Sequence, residues 1–141
     1  MEIIQVTNKD QRQDAYDVRT KVFVSEQQVP LNEEIDQYEE EAIHFVMYNN
    51  GLPVGAGRLR FIEDFGKIER ICLLKEARGT GAGQALMKKI QETAYSNGYN
   101  KLKLNAQCQA EGFYKKLGYV TVSNEPFLDA GIPHVTMEKN L

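Results

Sequence analysis

The chain has 141 residues, 17 basic against 20 acidic side chains and a net charge of −3; 42% of it is hydrophobic and 26% charged. That length fits one domain able to bury a core without disulfide staples, and the near-neutral balance speaks against disorder and against sequence-independent nucleic-acid binding. Two cysteines, Cys72 and Cys108, make no secreted disulfide framework, no apolar run is long enough to span a bilayer, and the first residues carry no basic-then-apolar leader, so a cytoplasmic domain without nucleic-acid or membrane partners is expected.

In chain order, residues 2–6 form an apolar strand candidate. Thr7-Asn8 then offers an N-cap for a helix that sets Ala15, Val18, Val22 and Phe23 at helical spacing. Pro30 argues against that helix passing residue 31. Residues 31–41 have no clear period and read as a loop or a short helical turn. Strands are expected at 43–48 and 54–62, joined by the hairpin signal Asn49-Asn50-Gly51. Gly55 and Gly57 inside the second suggest a bulge or a close backbone approach. A turn at 63–66 leads to a third strand at 67–74. Beyond it Leu86, Met87, Ile90 and Ala94 keep helical spacing up to Gly98. Residues 101–105 alternate as a strand, 110–117 read as a short helix ended by Gly118, and 119–122 and 132–137 are the last strands. A meander followed by βαβ-like pairs predicts a mixed sheet.

Between the third strand and the long helix lies Arg78-Gly79-Thr80-Gly81-Ala82-Gly83. Glycines here let backbone N–H groups approach an anion, the helix N-terminus adds a favourable field, and Arg78 puts a full charge at the rim. The pattern predicts a phosphate or pyrophosphate cradle. It is not a dinucleotide fingerprint, because the sixth position is Gln84 counted from Gly79 and Leu86 counted from Gly81. Nor is it a Walker loop, because no Gly-Lys-Ser/Thr occurs. The plainer alternative is that the glycines only serve turns.

This loop, preceded by Ile68-Glu69-Arg70-Ile71-Cys72-Leu73-Leu74, resembles the acyl-CoA loop of GNAT-type N-acetyltransferases. Asn105-Ala106-Gln107, Ala110 and Phe113-Tyr114-Lys115-Lys116-Leu117-Gly118-Tyr119 look like the second half of that signature. Val22-Phe23-Val24-Ser25-Glu26-Gln27-Gln28-Val29-Pro30, together with Phe127-Leu128-Asp129-Ala130-Gly131-Ile132-Pro133-His134 and Met137, is similar to the YjcF-like bacterial subgroup, so the resemblance runs nearly end to end. It implies a single-domain α+β (α/β) fold. The sheet would be mixed, mostly antiparallel and twisted, of about six to seven strands flanked by helices. A V-shaped splay would open between the fourth and fifth strands.

The resemblance also implies an acetyl-CoA-dependent N-acetyltransferase whose acceptor, a small-molecule or peptide amine, attacks the thioester directly. It allows a homodimer. Acetyl-CoA would lie along the backbone of Ile71, Cys72 and Leu73, over Arg78, Gly79, Thr80, Gly81, Ala82 and Gly83, and against Asn105, Phe113 and Tyr114. No metal is expected, because His44 and His134 are isolated from the cysteines and no C-x-x-C occurs. Tyr114 would be the general acid for the departing thiolate, and Glu69 the base, through water, for the acceptor ammonium. A backbone N–H near residues 71–73 would face the developing oxyanion. The plain alternatives are a half-buried aromatic with a satisfied hydroxyl for Tyr114 and a strand residue paired with Arg58, Arg60 or Arg70 for Glu69. Cys72 would lie beside the thioester, where a covalent acyl-cysteine route competes with simple burial.

Residues 33–41 hold six acids and no base. Such a run is ordinarily a solvated loop. The resemblance places Glu34, Asp36 and Glu39 near the acceptor, in an E-x-D-x-x-D pattern whose last Asp is here Glu39. With Glu26 and His134 they make the expected acceptor side and predict a cationic acceptor: a polyamine, an aminoglycoside-like amine or a peptide amine. Residues 75–116 carry eight bases against three acids, which suits a polyanionic donor. A non-catalytic acyl-CoA-binding or regulatory module would keep the same fold, and a nucleotide-phosphate binder is the third alternative.

Overall fold

The computed structural model describes residues 1–141. Helix α1 (Lys9–Arg19) follows strand β1 (Glu2–Gln5) and starts at the expected cap. Asn8 accepts a hydrogen bond from the Gln11 N–H at 2.9 Å, and the Gln11 side chain accepts one from the Thr7 N–H at 2.8 Å. The helix then widens into a π-helical segment, Thr20–Glu26, closed by the Gln27 N–H on the Val22 carbonyl. After Pro30 comes a single turn, α2 (Leu31–Glu34).

Strands β2 (Ile43–Asn49), β3 (Leu52–Ile62) and β4 (Phe65–Leu73) form the antiparallel meander. Asn50 and Gly51 turn the first hairpin with φ of 52° and 80°. Helix α3 (Ala82–Ser96), β5 (Lys101–Gln107), α4 (Glu111–Lys116), β6 (Val120–Thr121), β7 (Phe127–Asp129) and β8 (Ile132–Asn140) complete the chain. The sheet has eight strands in the order β1-β2-β3-β4-β5-β8-β6, with β7 also on β8. The sequence count of six to seven is therefore one short. The extra strand is the three-residue β7, which folds back on β8 through Ala130 and Gly131 at φ 51° and 77°.

Alternation along β2 sends Phe45 and Met47 to one face of the sheet and Val46 to the other. The first face packs on α3 through Leu86, Met87, Ile90 and Ala94. The second packs on α1 and the π-helical segment through Ala15, Val18 and Val22, against Ala56 and Cys72. No helix is long and apolar enough to cross a membrane.

Besides a bulge on β3, where Val54 is the extra residue between the pairs Met47–Gly55 and Tyr48–Pro53, two departures from regular pairing shape the site. β4 and β5 run parallel but pair only where Gly66, Lys67 and Ile68 meet Leu102, Lys103 and Leu104. β4 continues to Leu73 and β5 to Gln107 without pairing, which opens the expected V. The second departure is a bulge. Ala56 pairs with Cys72 and Arg58 with Glu69, so Gly57 alone faces both Arg70 and Ile71. The extra residue lies on β4, and Arg70 takes a left-handed φ of 59° to accommodate it. Gly57 leaves room beside this bulge: a Cβ there would stand 2.8 Å from Ile71 Cδ1 and 2.9 Å from Ile90 Cδ1, so both side-chain ends would have to move. Gly57→Val should therefore lower unfolding free energy by about 1–3 kcal/mol in urea titration. An unchanged midpoint would mean that the packing over the bulge is loose.

Candidate active site

A cavity of about 1000 Å³ fills the splay. Its walls are residues 67–73 of β4, the glycine loop, the end of β5, Phe113 and Tyr114 of α4, the end of the π-helical segment with the loop after it, and His134 behind the β7–β8 turn. Of the site residues expected from sequence, all but Thr80, Ala82 and Glu39 line it. Thr80 turns its hydroxyl back to donate to the Ala77 carbonyl at 2.6 Å, which fixes the loop from behind. Ala82, the first residue of α3, is buried in the core.

The glycines have different jobs. Gly79 and Gly81 adopt φ of 73° and 84°, with open space where a Cβ would be. Gly81 is the N-cap of α3, no side chain caps that terminus, and the first turn holds no acid. The first N–H groups of a helix of 15 residues are thus left for an anion. Gly83 is needed for space instead: a Cβ would stand 3.2 Å from the Phe113 ring. Arg78 stands on the rim. Its Nε donates to the Leu73 carbonyl at 3.0 Å, and its other nitrogen donates to both carboxylate oxygens of Glu26 at 3.0 and 2.9 Å. Glu26, expected beside the acceptor, is therefore tied to the glycine loop.

Tyr114 is 8% exposed, set edge-on to Phe113 and Tyr119 with centroids 5.0 and 5.9 Å away. Burial, and secondarily the neighbouring Cys72, raises its pKa, and no protein group hydrogen-bonds its hydroxyl. It is a protonated phenol with an unused donor, not the satisfied aromatic of the plain alternative. Asn105 accepts from the Thr136 hydroxyl at 2.9 Å. His134 lies with Nδ1 2.6 Å from the Ile132 carbonyl and its ring stacked on Phe127.

Cys72 does not suit covalent chemistry. It is 5% exposed, and burial pushes its thiol up to about 12. Of the two readings open from sequence, burial in a packing role on the α1 face therefore fits Cys72 better than the acyl-cysteine route. A thiol reagent at about pH 8 should modify only Cys108 in the native protein and both cysteines after denaturation. Modification of Cys72 in the native state would contradict this.

The acidic stretch is only partly solvated: Glu33, Glu40 and Glu41 are exposed, Asp36 is half-buried, and Glu34 and Glu39 are buried. Arginines from α1, β3 and β4 meet it from below. Arg19, 1% exposed, binds Glu39 through two nitrogens at 2.9 and 2.8 Å and Glu34 at 3.0 Å. Arg58, fully buried, grips Asp36 at 2.8 and 3.0 Å, reaches Glu39 at 3.0 Å and donates to Glu69 at 3.1 Å. Arg70 binds Glu34 at 2.9 Å and Asp36 at 3.2 Å, and it also donates to the Glu33 and Glu34 carbonyls. Glu40 and Glu41 pair with Arg12 and Arg60. Glu33 alone of the six acids has no ion pair. Glu34, Asp36 and Glu39 line or underlie the cavity as members of a neutralised network rather than as free negative charge.

Glu69 belongs to the same network. Burial opposes its ionisation, but the Arg60 hydrogen bonds and the charges of Arg58, Arg60 and Lys67 prevail and lower its pKa. For Glu39, burial is likewise overcome by Arg19 and Arg58, which hold the carboxyl down to about 2. Glu34 goes the other way, raised by burial against the pull of Arg19 and Arg70.

Arg19 was not legible as a site support, and Arg58 only as a partner of Glu69, which it is; nor were Gln27 and Gln107, whose amides pair across the slot at 2.8 and 3.3 Å. An arginine at a helix-face position next to Val18, and Arg58 and Arg60 in a strand apolar apart from them, are the signals for inward-facing charges that could be matched to the acids.

Residues 7–141 match the family model described as an acetyltransferase (GNAT) domain. The chain is 49% identical over 140 residues to the uncharacterized N-acetyltransferase YjcF of Bacillus subtilis, covering 99% of this chain and 100% of that one. A solved structure from Lactobacillus plantarum superposes with a TM-score of 0.92 at 29% identity, over 99% of this chain and 97% of that one. An acyl-CoA N-acyltransferase from Pseudomonas aeruginosa gives a TM-score of 0.86 at 26% identity, over 98% of each chain.

Proposed function

The chain belongs to the GNAT acetyltransferase family, and on that premise we propose that it transfers an acetyl group from acetyl-CoA to a primary amine by direct attack. The observation that carries this reading is the unpaired splay of β4 and β5, with an uncapped glycine-loop helix terminus and an unbonded, protonated Tyr114 among its lining. Acetyl-CoA supplies an acyl group activated by a thiol leaving group. Gly79, Gly81 and Gly83 let the first N–H groups of α3 meet its pyrophosphate. The unpaired stretch at Ile71, Cys72 and Leu73 bonds the amides of the pantetheine arm as a neighbouring strand would, and Asn105 faces the arm from β5.

At the reacting end, a backbone N–H in the bulge by Ile71 stabilises negative charge on the acyl oxygen. Tyr114 holds the proton the departing sulfur needs. Glu69, kept ionised by Arg58 and Arg60, orients a water that takes the acceptor's proton and passes it on to bulk solvent. With Glu34 and Asp36 already engaged by arginines, an acceptor carrying one ammonium suits the lining better than a polycation. The test is thiol release from acetyl-CoA in the presence of an amine panel, with the acetylated product weighed by mass spectrometry. Acetylated amine is expected. Acetyl-CoA bound tightly with no turnover on any amine would favour the non-catalytic module.

A further inference from the structure

Consecutive residues at the end of the π-helical segment reach both arms of the slot. Glu26 takes two hydrogen bonds from Arg78, 52 positions on and just past the end of β4. Gln27 exchanges amide hydrogen bonds with Gln107, 80 positions on and at the end of β5. The chain is turned back directly afterwards by Gln28 at φ 62° and by the Val29 N–H on the Phe23 carbonyl at 2.9 Å. Glu26 and Gln27 therefore form a strap across the V where β4 and β5 no longer pair.

The Arg78 end of this strap is chemically suggestive. A guanidinium presents the same fork of donors to a carboxylate as to a phosphate. Arg78 stands beside the glycine loop, is 43% exposed, and is the sole ion-pair partner of Glu26, itself 27% exposed. A carboxylate thus occupies the one arginine of the anion cradle. Resting on the donor assignment above, we propose that Glu26 is an internal stand-in for the donor's phosphate. In the free protein it holds Arg78 at the rim. Donor entry transfers Arg78 from carboxylate to phosphate and releases the strap on the β4 side, while Gln27–Gln107 keeps it across the slot. Glu26 then sets donor affinity rather than binding the acceptor.

The test is a double-mutant cycle on coenzyme A binding by titration calorimetry, with wild type, Glu26→Gln, Arg78→Met and the double variant. An exposed pair of this kind is worth a factor of up to about five. Glu26→Gln should therefore bind coenzyme A up to about fivefold more tightly, Arg78→Met more weakly, and the double variant like Arg78→Met alone. An unchanged or weaker affinity for Glu26→Gln would overturn the proposal. So would an equal gain in the Arg78→Met background, since that gain would come from long-range charge alone. Coenzyme A binding by none of the four proteins would overturn the donor assignment and the strap with it.

Discussion

Tyr114→Phe is expected to lower kcat for acetyl transfer by about 100-fold or more, with KM for acetyl-CoA nearly unchanged. The phenol is buried and raised above its ordinary pKa, so it carries its proton throughout the neutral range. Phenylalanine keeps the ring contacts with Phe113 and Tyr119. No protein group bonds the hydroxyl, so its removal orphans no partner, and the variant should unfold within about 1 kcal/mol of wild type. The loss should then appear in turnover and not in stability or donor binding. A Tyr114→Phe protein with wild-type kcat would assign the leaving-group proton to water or to another group.

Arg19→Met should cost about 3–5 kcal/mol of unfolding free energy, a fall in Tm of about 10–20 °C. The arginine is 1% exposed and neutralises Glu34 and Glu39, which are 1% and 7% exposed. Methionine fills most of the space but leaves two buried carboxylates short of a partner. Adding Glu39→Gln should recover part of the loss, which distinguishes unpaired charge from a packing defect. The acid side gives a second readout. The folded pKa of Glu39 is about 2, below its ordinary 4.5, so the unfolded chain takes up the proton first. The stabilisation from Glu39 is complete above about 4.5 and is lost as pH falls from there through about 2. In Arg19→Met that acid-side loss should shrink, because the main partner of Glu39 is gone. A variant within about 0.5 kcal/mol of wild type would make the buried network energetically silent.

The parts of the fold written in local chemistry were legible from sequence. Asn8 as a cap, Asn50-Gly51 as a hairpin, the helical spacing of Leu86, Met87, Ile90 and Ala94, and the glycines opening α3 all act through near neighbours. The features that escaped depend on distant partners. A π-helix over Thr20–Glu26 differs from an α-helix in which carbonyl each N–H chooses, and apolar spacing does not report that choice. The bulge on β4 sits at Arg70, a residue with no preference for positive φ, and only Gly57 across the ladder marked the place; the bulge expected on the second meander strand is the one at Val54, beside Gly55. β7 is three residues long and too short to alternate.

The acidic run shows the same limit at the site. Glu34, Asp36 and Glu39 read alone are a negative surface. They become a buried neutral network only because α1, β3 and β4 bring Arg19, Arg58 and Arg70 beneath them. Glu26 is the same case on a smaller scale: read alone it is a free carboxylate, and tertiary structure pairs it with Arg78. The glycine loop, one continuous stretch of backbone, is the more legible half of the cavity lining.

The central claim is that the splay between β4 and β5 holds the acyl donor with its sulfur at Tyr114. A crystal structure with coenzyme A bound tests it most directly. The account predicts the pyrophosphate on the N–H groups at residues 79–84, Arg78 on a phosphate and no longer on Glu26, and the sulfur within about 3.5 Å of the Tyr114 hydroxyl. Coenzyme A seated outside the splay, or with its sulfur remote from Tyr114, would contradict it.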